Sequence, residues 1–126
     1  MDNCYTIDIE AALCETWAEY NAFAPPITAE LEAPCVYIHR VGGYRRAYVQ
    51  DAHALSIDVY GKSAADATAT AGELIGILGG LSELGGVPVY QVEITTLPYY
   101  NPDPSNYTYP RVTFAATVVT RVNHRD

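Results

Sequence analysis

The stretch "IDVYGKSAADATATAGELIGIL" at residues 57–78 contains a strand pattern, a short turn and a helix pattern in succession. Residues 54–60 alternate between apolar and polar side chains, which is typical of a strand with one buried face. After the turn, apolar side chains recur at helical spacing, and Ser63 is placed to cap the first helical turn. The stretch therefore indicates a chain of mixed α and β structure.

A strand, Gly-Lys-Ser and a helix is also the order of a nucleotide-binding phosphate loop. That motif needs a glycine five residues before Gly61, where this chain has Ser56. Residues 57–60 continue the strand pattern and leave no flexible loop whose amides could surround phosphates. The sequence therefore predicts no nucleotide binding. It predicts a tight strand-to-helix turn at Gly61-Lys62-Ser63, with Ser63 as the helix N-cap.

Outward from this stretch, the pattern predicts one more helix and at least three more strands. Residues 8–23 have apolar side chains at helical spacing and are followed by two prolines, which end the helix. The additional strands are expected at residues 35–41, 87–96 and 111–122. Gly42-Gly43 is expected to end the first of these, and residues 27–32 are a candidate edge strand. We predict one α+β domain over residues 1–126, with a four- to five-stranded mixed or antiparallel sheet and two helices packed on one face.

Negative charge is concentrated at the start of the chain. Seven of the 15 acidic residues lie in residues 1–33, which contain no Lys or Arg, and the net charge is −8. Such a field repels nucleic-acid phosphates, so we expect no specific DNA binding and interpret the acids as a solvated helix face. No uncharged apolar run approaches the ~18 residues of a membrane span, so we expect no membrane association.

No group of side chains marks an enzyme or a cofactor site. The three cysteines, Cys4, Cys14 and Cys35, form no Cys-x-x-Cys pair, and the N-terminus has no secretory pattern, so we expect reduced thiols in a cytosolic environment. Cys35 and His39 are the only close pair of soft metal ligands, whereas zinc needs about four. No serine lies in Gly-x-Ser-x-Gly. We predict no catalytic, metal-binding or cofactor-binding residue.

Three glycines form a stripe on the helix that follows Ser63, opposite its leucine and isoleucine side chains. They are Gly72, Gly76 and Gly79. Each lowers helix stability by about 0.8–1 kcal/mol relative to alanine. A smooth glycine face lets another backbone approach closely. Two interpretations are equally open at this point, packing against the first helix and contact with a neighbouring subunit.

Residues 97–110, "LPYYNPDPSNYTYP", are expected to form an extended hairpin arm. The segment contains four tyrosines and four prolines and no hydrophobic anchor to the core. Hairpin loops usually have about two to five residues, and longer ones tend to be functional or disordered. Prolines reduce the entropy cost of ordering, and tyrosine is favoured at protein interfaces. We prefer a protein-contact arm over an irregular surface loop, with Tyr99, Tyr100, Tyr107 and Tyr109 as its contact residues.

Several short motifs occur in a familiar order. They are "PCVYIHRVGG" at 34–43, Asp51, "SIDVYGKSAADA" at 56–67, "LPYYNPD" at 97–103 and "YPRVTFAATVVTRV" at 109–122. In their order, their spacing and the length of the chain, they resemble the small tail terminator proteins of long-tailed bacteriophages, also called tail-completion or minor tail proteins. The likeness covers roughly residues 27–122.

The resemblance implies a structural virion protein of the phage tail and neck, assembled in the host cytoplasm. Such a subunit forms a homohexameric ring that caps the tail tube protein and then joins the head-tail connector. Genomic DNA would pass through without specific binding, and an acidic helix facing the lumen would help it slide. The positions implied at ring or tube contacts are the Arg40-Val41-Gly42-Gly43 turn and the tyrosine-rich arm, with Arg111 and Arg121 pairing across subunits.

Two other functions remain open from the sequence. A head-to-tail stopper or adaptor protein would occupy the same neck of the virion and differ only in its partner. A monomeric ligand-binding module or an unrecognised hydrolase belongs to a different class and would need no self-assembly. The mass of the purified particle separates the ring-forming candidates from a monomer.

Overall fold

The chain is described by a computed structural model that covers residues 4–27, 30–47, 49–105 and 108–124. Its class is α+β, as predicted. In chain order the elements are β1 (Cys4–Tyr5), α1 (Ile9–Thr16), a 3-10 turn (Ala18–Tyr20), β2 (Ala22–Phe23), β3 (Cys35–Ala47), β4 (Gln50–Tyr60), α2 (Ala64–Gly79), β5 (Glu83–Leu84), β6 (Val87–Tyr100), β7 (Arg111–Arg121) and β8 (Asn123–His124).

The main sheet has six strands in the order β2-β3-β4-β7-β6-β5, and β1 pairs separately with β8. It is mixed, because β2 runs parallel to β3 whereas the other neighbours are antiparallel. The prediction of four to five strands was therefore too low. The two additional edge strands have two residues each, too few to produce an alternating pattern. The candidate strand at 27–32 is not formed by those of its residues that the structure describes.

The centre of the sheet is the β4–β7 pair, whose register runs without a shift from Gln50↔Arg121 to Tyr60↔Arg111. This register aligns Ile57 with Phe114, and β3 adds Ile38 to the same row. All three side chains are fully buried in the core under the two helices. Burial of each such side chain contributes roughly 1.5–3 kcal/mol, so this row fixes which face of the sheet the helices cover.

The sheet curls, so that strands which are not neighbours approach each other at one end. Arg46 on β3 donates a hydrogen bond to Oε1 of Gln91 on β6 at 3.0 Å, although β4 and β7 lie between these strands. Gln91 pairs with Val119, which alternates with the core residue Val118. Side chains alternate between faces along a strand, so Gln91 lies on the face without helices. The curl therefore closes over that face.

The first helix is shorter than the predicted range of 8–23. The predicted apolar stripe is buried at Ile9, Leu13 and Trp17, but α1 ends at Thr16 and a 3-10 turn follows. Asn21 then takes a left-handed conformation with φ 58°. The chain must reverse here to enter β2 beside β3, and Asn21 is among the few residue types that adopt this conformation readily. None of the described helices is long and apolar enough to cross a bilayer.

The predicted strand-to-helix turn at residues 61–63 is confirmed. Ser63 Oγ accepts a hydrogen bond from the Asp66 backbone N–H at 3.0 Å, which is the expected N-cap contact. Gly61 is needed for a close approach, because a Cβ there would lie 2.8 Å from Ala67 N and from Ser63 O. Its N–H donates to Pro110 O at 3.1 Å, so the turn also contacts the end of the β6–β7 connection.

The expectation that Gly42-Gly43 ends a strand was wrong. Strand β3 continues through both glycines to Ala47, with a register shift between Arg40 and Gly42. Gly42 and Gly43 have φ of 146° and 130°, where glycine is favoured. A Cβ on Gly43 would lie 2.1 Å from the backbone oxygen of Ala52. The glycines therefore form a bulge inside a long strand, and not a turn.

This bulge gives a paired prediction for stability. Gly42→Ala introduces an unfavourable φ into open space and should lower the free energy of unfolding by about 1–3 kcal/mol. Gly43→Ala adds the clash with Ala52 O, which should cost about 1–3 kcal/mol more. Chemical denaturation followed by circular dichroism measures both variants. Equal losses for the two variants would contradict the close approach at Gly43.

Candidate functional site

The most distinctive surface of this fold is the pair of open edges of its main sheet. Strand β2 covers β3 only at Val36 and Tyr37, and β5 covers β6 only at Val87 and Pro88. Among the described residues, no strand pairs with the outer side of residues 38–47 of β3 or 90–100 of β6. Such edges present unpaired backbone N–H and C=O groups and invite pairing with another strand.

The open part of β3, residues 38–47, is called the basic edge here. It carries Arg40, Arg45 and Arg46, and β3 contains no acidic residue. Val41 and Tyr44 lie between the arginines and are 60% and 66% exposed. Arg45 forms an ion pair with the buried carboxylate of Asp51, so its guanidinium is held against the sheet. The basic edge thus combines cationic groups with exposed apolar surface.

The open part of β6, residues 90–100, is called the tyrosine edge. Its large exposed side chains are Tyr90, Leu97, Tyr99 and Tyr100. Glu93 is the only charged residue in β6, and it is exposed. Monomeric proteins usually protect an edge strand with charge, proline or bulges; this edge has little charge, but it contains Pro98 and three register shifts. Its composition of exposed tyrosine and leucine is typical of a protein-contact surface.

Arg40 is positioned by a buried histidine. Its Nη1 lies 3.4 Å from His53 Nδ1, and His53 Nε2 lies 3.0 Å from Thr120 Oγ1. A guanidinium only donates hydrogen bonds, so Nδ1 accepts and Nε2 carries the hydrogen that goes to Thr120. Burial lowers the pKa of His53, and Arg40 lowers it further against the opposing effect of Asp51. His53 is therefore a neutral acceptor that orients Arg40.

The Arg40 backbone is also held from the helix side. Its N–H donates to Glu10 Oε2 of α1 at 2.8 Å. Arg40 also lines a depression of about 370 Å³, together with Gly42, Gly43 and His53 among others. The structure thus brings together three of the sequence-predicted contact residues, Arg40, Gly42 and Gly43, at one place on the basic edge.

Arg111, which the resemblance places at a contact between subunits, makes several contacts within its own subunit. Its Nε donates to Asn101 O at 2.6 Å, and its Nη1 lies 3.8 Å from Asp58 Oδ2 and 3.9 Å from Asp103 Oδ2. Tyr60 also donates to Asp103 Oδ2, at 3.0 Å. Burial raises the pKa of Tyr60 to about 12, with Arg111 opposing this rise and Asp103 adding to it. These internal contacts fasten the β6–β7 connection to the sheet.

Arg121 lies at the end of β7, opposite Gln50 on β4, and its side chain is exposed. It lies far along the strand from Arg111, since the two occupy opposite ends of β7. The proposed pairing of Arg121 across subunits stays a prediction.

The tyrosine-rich arm divides into two parts. Residues 97–100 belong to β6, which is longer than the predicted 87–96, and Tyr99 and Tyr100 are exposed there. Tyr109 is half-buried and packs against a small cluster of Ala33, Cys35 and Tyr60. The arm therefore has the hydrophobic anchor that the sequence analysis did not find. Tyr107 lies outside the described residues.

The glycine stripe faces solvent. A Cβ added at Gly72, Gly76 or Gly79 would meet no atom within 4 Å. Packing of the stripe against α1, one of the two interpretations, is therefore wrong for the described residues. Contact with a neighbouring subunit stays a prediction.

The described residues can also be compared with the requirements of a metal site and of a reactive thiol. No three His, Cys, Asp or Glu residues in the described part of the chain are placed to hold a metal ion. Burial raises the pKa of the Cys14 and Cys35 thiols, so neither is an activated nucleophile. The ring of His39 packs against that of Tyr37, with centroids 5.1 Å apart.

Sequence reasoning missed several residues of the two edges. They are Val41, Tyr44, Arg45, Arg46, Tyr90 and Leu97. The run of arginines at 40–46 without a nearby acid was a detectable signal, but the expected turn at Gly42-Gly43 removed these residues from the sheet. The open side of β6 depends on how short β5 is, which no local pattern encodes.

His53 gives a prediction for acid stability. The unfolded histidine takes up a proton below about pH 6.5, whereas the folded pKa is lower, so folding stability should fall as pH drops through this value. His53→Gln keeps an acceptor and a donor but does not titrate. Urea midpoints at about pH 7.5 and about pH 5.5 should therefore differ less in this variant than in the wild type. His39→Gln is the matched removal of a histidine, and an equal reduction in that variant would refute the role of His53.

Gly76 gives a prediction that separates stability from assembly. Gly76→Ala should raise the free energy of unfolding by about 0.8–1 kcal/mol, since the new Cβ enters open space and improves helix propensity. The reverse change at an exposed position of the same helix, Ala69→Gly, should lower the free energy of unfolding by a similar amount. Chemical denaturation measures both effects. Loss of assembly together with higher stability would identify the stripe as a contact face, whereas unchanged assembly would rule that out.

Neither a scan against protein-family models nor a search of curated proteins finds a match to this chain.

Proposed function

We propose that this chain is a structural virion protein, a phage tail terminator that forms a ring, caps the tail tube and joins the tail to the head connector. The observation that carries the proposal is the main sheet, in which β3 on one side and β6 on the other are both largely open along their outer edges. A contact between two different surfaces of identical subunits produces a ring when the rotation closes. A subunit with one such edge would be limited to pairs.

The chemistry of the described residues agrees with a role without turnover. The polar network around Arg111 has its carboxylates engaged in internal contacts, and the described thiols have raised pKa values. Six of the nine large apolar side chains that are exposed among the described residues lie on the open edges, at positions such as Tyr44, Leu97 and Tyr100. Recognition by shape and surface would then replace catalysis. In this proposal the DNA passes through the ring without specific contacts, in keeping with a net charge of −8.

The rival from a different class, a monomeric ligand-binding module, has one feature in its favour. A groove of about 580 Å³ lies beside β2 and is lined by Phe23, Ile27, Leu31 and Cys35, with Glu30 and Glu32 also in its wall. A small apolar ligand would enter there. The groove is remote from the tyrosine edge in the strand order, so the two functions make separate predictions.

The test of the ring is the mass and shape of the purified protein. Native mass spectrometry should find a homohexamer, and negative-stain images should show rings with a central hole, either alone or after addition of tail tube protein. Binding to the ends of polymerised tubes would support a terminator, whereas binding only to the portal-side assembly would support the stopper or adaptor. A strict monomer in the presence of both partners would refute all of these assembly roles.

Exposed and anchored tyrosines should respond differently to substitution. The double change Tyr99→Ser and Tyr100→Ser should leave the unfolding midpoint nearly unchanged, because both side chains are exposed, yet it should prevent tail completion. Tyr109→Ser is the control from the same segment and should lower stability, since Tyr109 packs against Tyr60 and Cys35. Denaturation curves and infectious particle yield measure the two effects. Normal yield from the double variant would contradict a contact role for these tyrosines.

A further inference from the structure

The two open edges differ in charge. Strand β3 contains three arginines and no acid, whereas β6 contains Glu93 and no base. Glu93 is exposed, and no ion pair involves it among the described residues, where Arg45 and Arg111 supply the cations. Among the described residues, the guanidinium groups of Arg40 and Arg46 contact the neutral side chains of His53 and Gln91, although the Arg40 backbone N–H donates to the carboxylate of Glu10. Each edge therefore has charge that the subunit itself does not neutralise.

We propose that the tyrosine edge of one copy pairs with the basic edge of a second copy, so that the main sheet continues from subunit to subunit. This inference rests on the proposed function, since it names the contact that would close the ring. The occupant of each edge is a second copy of this chain. Backbone hydrogen bonds between the strands would supply affinity, and the exposed side chains would supply the register.

The strand directions allow this join without disturbing the layers of the fold. Each neighbouring pair in the series β3, β4, β7, β6 is antiparallel, so β6 runs opposite to β3. Placing β6 of one copy beside β3 of the next, with the copies in the same orientation, therefore forms another antiparallel pair. Because both copies keep their helices on the same face, the helices and the helix-free face each remain continuous across the join.

Charge distinguishes this head-to-tail contact from a two-fold one. Pairing two basic edges would place the arginines of one copy, Arg40, Arg45 and Arg46, opposite a strand that carries only the same positive charges, and pairing two tyrosine edges would offer Glu93 no positive charge. Like charges facing each other across strands are destabilising, and opposite charges are stabilising. Only the pairing of a basic edge with a tyrosine edge places arginines near a carboxylate, that of Glu93. It is also the type of contact from which rings form.

The exposed apolar side chains of the two edges would be covered by the same join. Val41 and Tyr44 project from the basic edge, and Tyr90 and Leu97 from the tyrosine edge. Association removes such surface from water, which is the main driving force for protein contacts. The charged groups then select the partner edge, and the apolar groups contribute affinity.

The test uses one variant that blocks each edge. Val41 and Thr95 are both bulge residues without a partner in the register to the inner strand, and both are exposed. Proline is tolerated at bulges and edges, where it removes an N–H and obstructs further pairing; the tyrosine edge already contains Pro98, so its pairing with a second copy would involve the residues before that proline. Val41→Pro should block the basic edge, and Thr95→Pro should block the tyrosine edge. Circular dichroism establishes that each variant is folded before its mass is measured.

Native mass spectrometry then distinguishes head-to-tail pairing of unlike edges from two-fold pairing of like edges. Each proline variant alone should be monomeric, whereas their mixture should form a one-to-one heterodimer and nothing larger, through the one intact edge of each kind. A homodimer of either variant, or the absence of a heterodimer from folded variants, would overturn the proposal. Rings that persist in both variants would overturn the edge contact but leave the tail-terminator function standing. A wild-type chain that stays monomeric with tail tube protein would refute both.

A charge variant keeps the test decisive if a proline variant does not fold. Glu93 is exposed and has no ion-pair partner among the described residues, so the Glu93→Lys variant should fold normally. Its self-association at low salt should be several-fold weaker than that of the wild type. Glu19→Lys makes the same charge change on the exposed 3-10 turn and is the matched control. Equal association constants for these two variants, measured by analytical ultracentrifugation, would contradict the pairing of Glu93 with the basic edge.

Discussion

The uninterrupted pairing of β4 with β7 is the constraint on which the rest of the structure depends. Its register holds from one end of both strands to the other, so a single alternation of side chains decides which face of the sheet is apolar. Ile57 and Phe114 then lie in one buried row, and the two helices cover this row. The opposite face keeps Asp58 and Thr113, whose hydrogen bond of 2.6 Å belongs to the polar network around Arg111.

Much of this fold could be predicted because its signals are local. The strand at 54–60 and the cap at Ser63 depend on neighbours in the sequence, and both are confirmed, although Asp58 and Tyr60 on the face expected to be solvated are buried. The errors occurred where tertiary contacts override local pattern. The apolar spacing of residues 8–23 continues beyond α1, but the chain reverses at Asn21 to place β2 against β3. The Gly42-Gly43 pattern predicts the end of a strand, yet these two glycines form a bulge within β3, where Gly43 lies close to the backbone of Ala52.

The candidate site was only partly accessible from sequence for a similar reason. Exposed tyrosines in a proline-rich segment are a compositional signal, and Tyr99 and Tyr100 are indeed exposed. Arg111 illustrates the limit, because its carboxylate partner Asp58 comes from a different strand and becomes visible only after the register is known. An open edge is a property of the neighbours that a strand lacks. It therefore follows from topology, and residue composition cannot reveal it.

The contact between Arg46 and Gln91 has a consequence for geometry. Backbone ladders set the distance between adjacent strands but leave the bend of the whole sheet weakly determined, so side chains that span two intervening strands help to fix its curvature. In an assembly of repeated sheets, the angle contributed by each unit decides how many units complete a circle. In the proposed ring, a substitution at Arg46 or Gln91 would therefore change this angle without removing a backbone hydrogen bond between neighbouring strands.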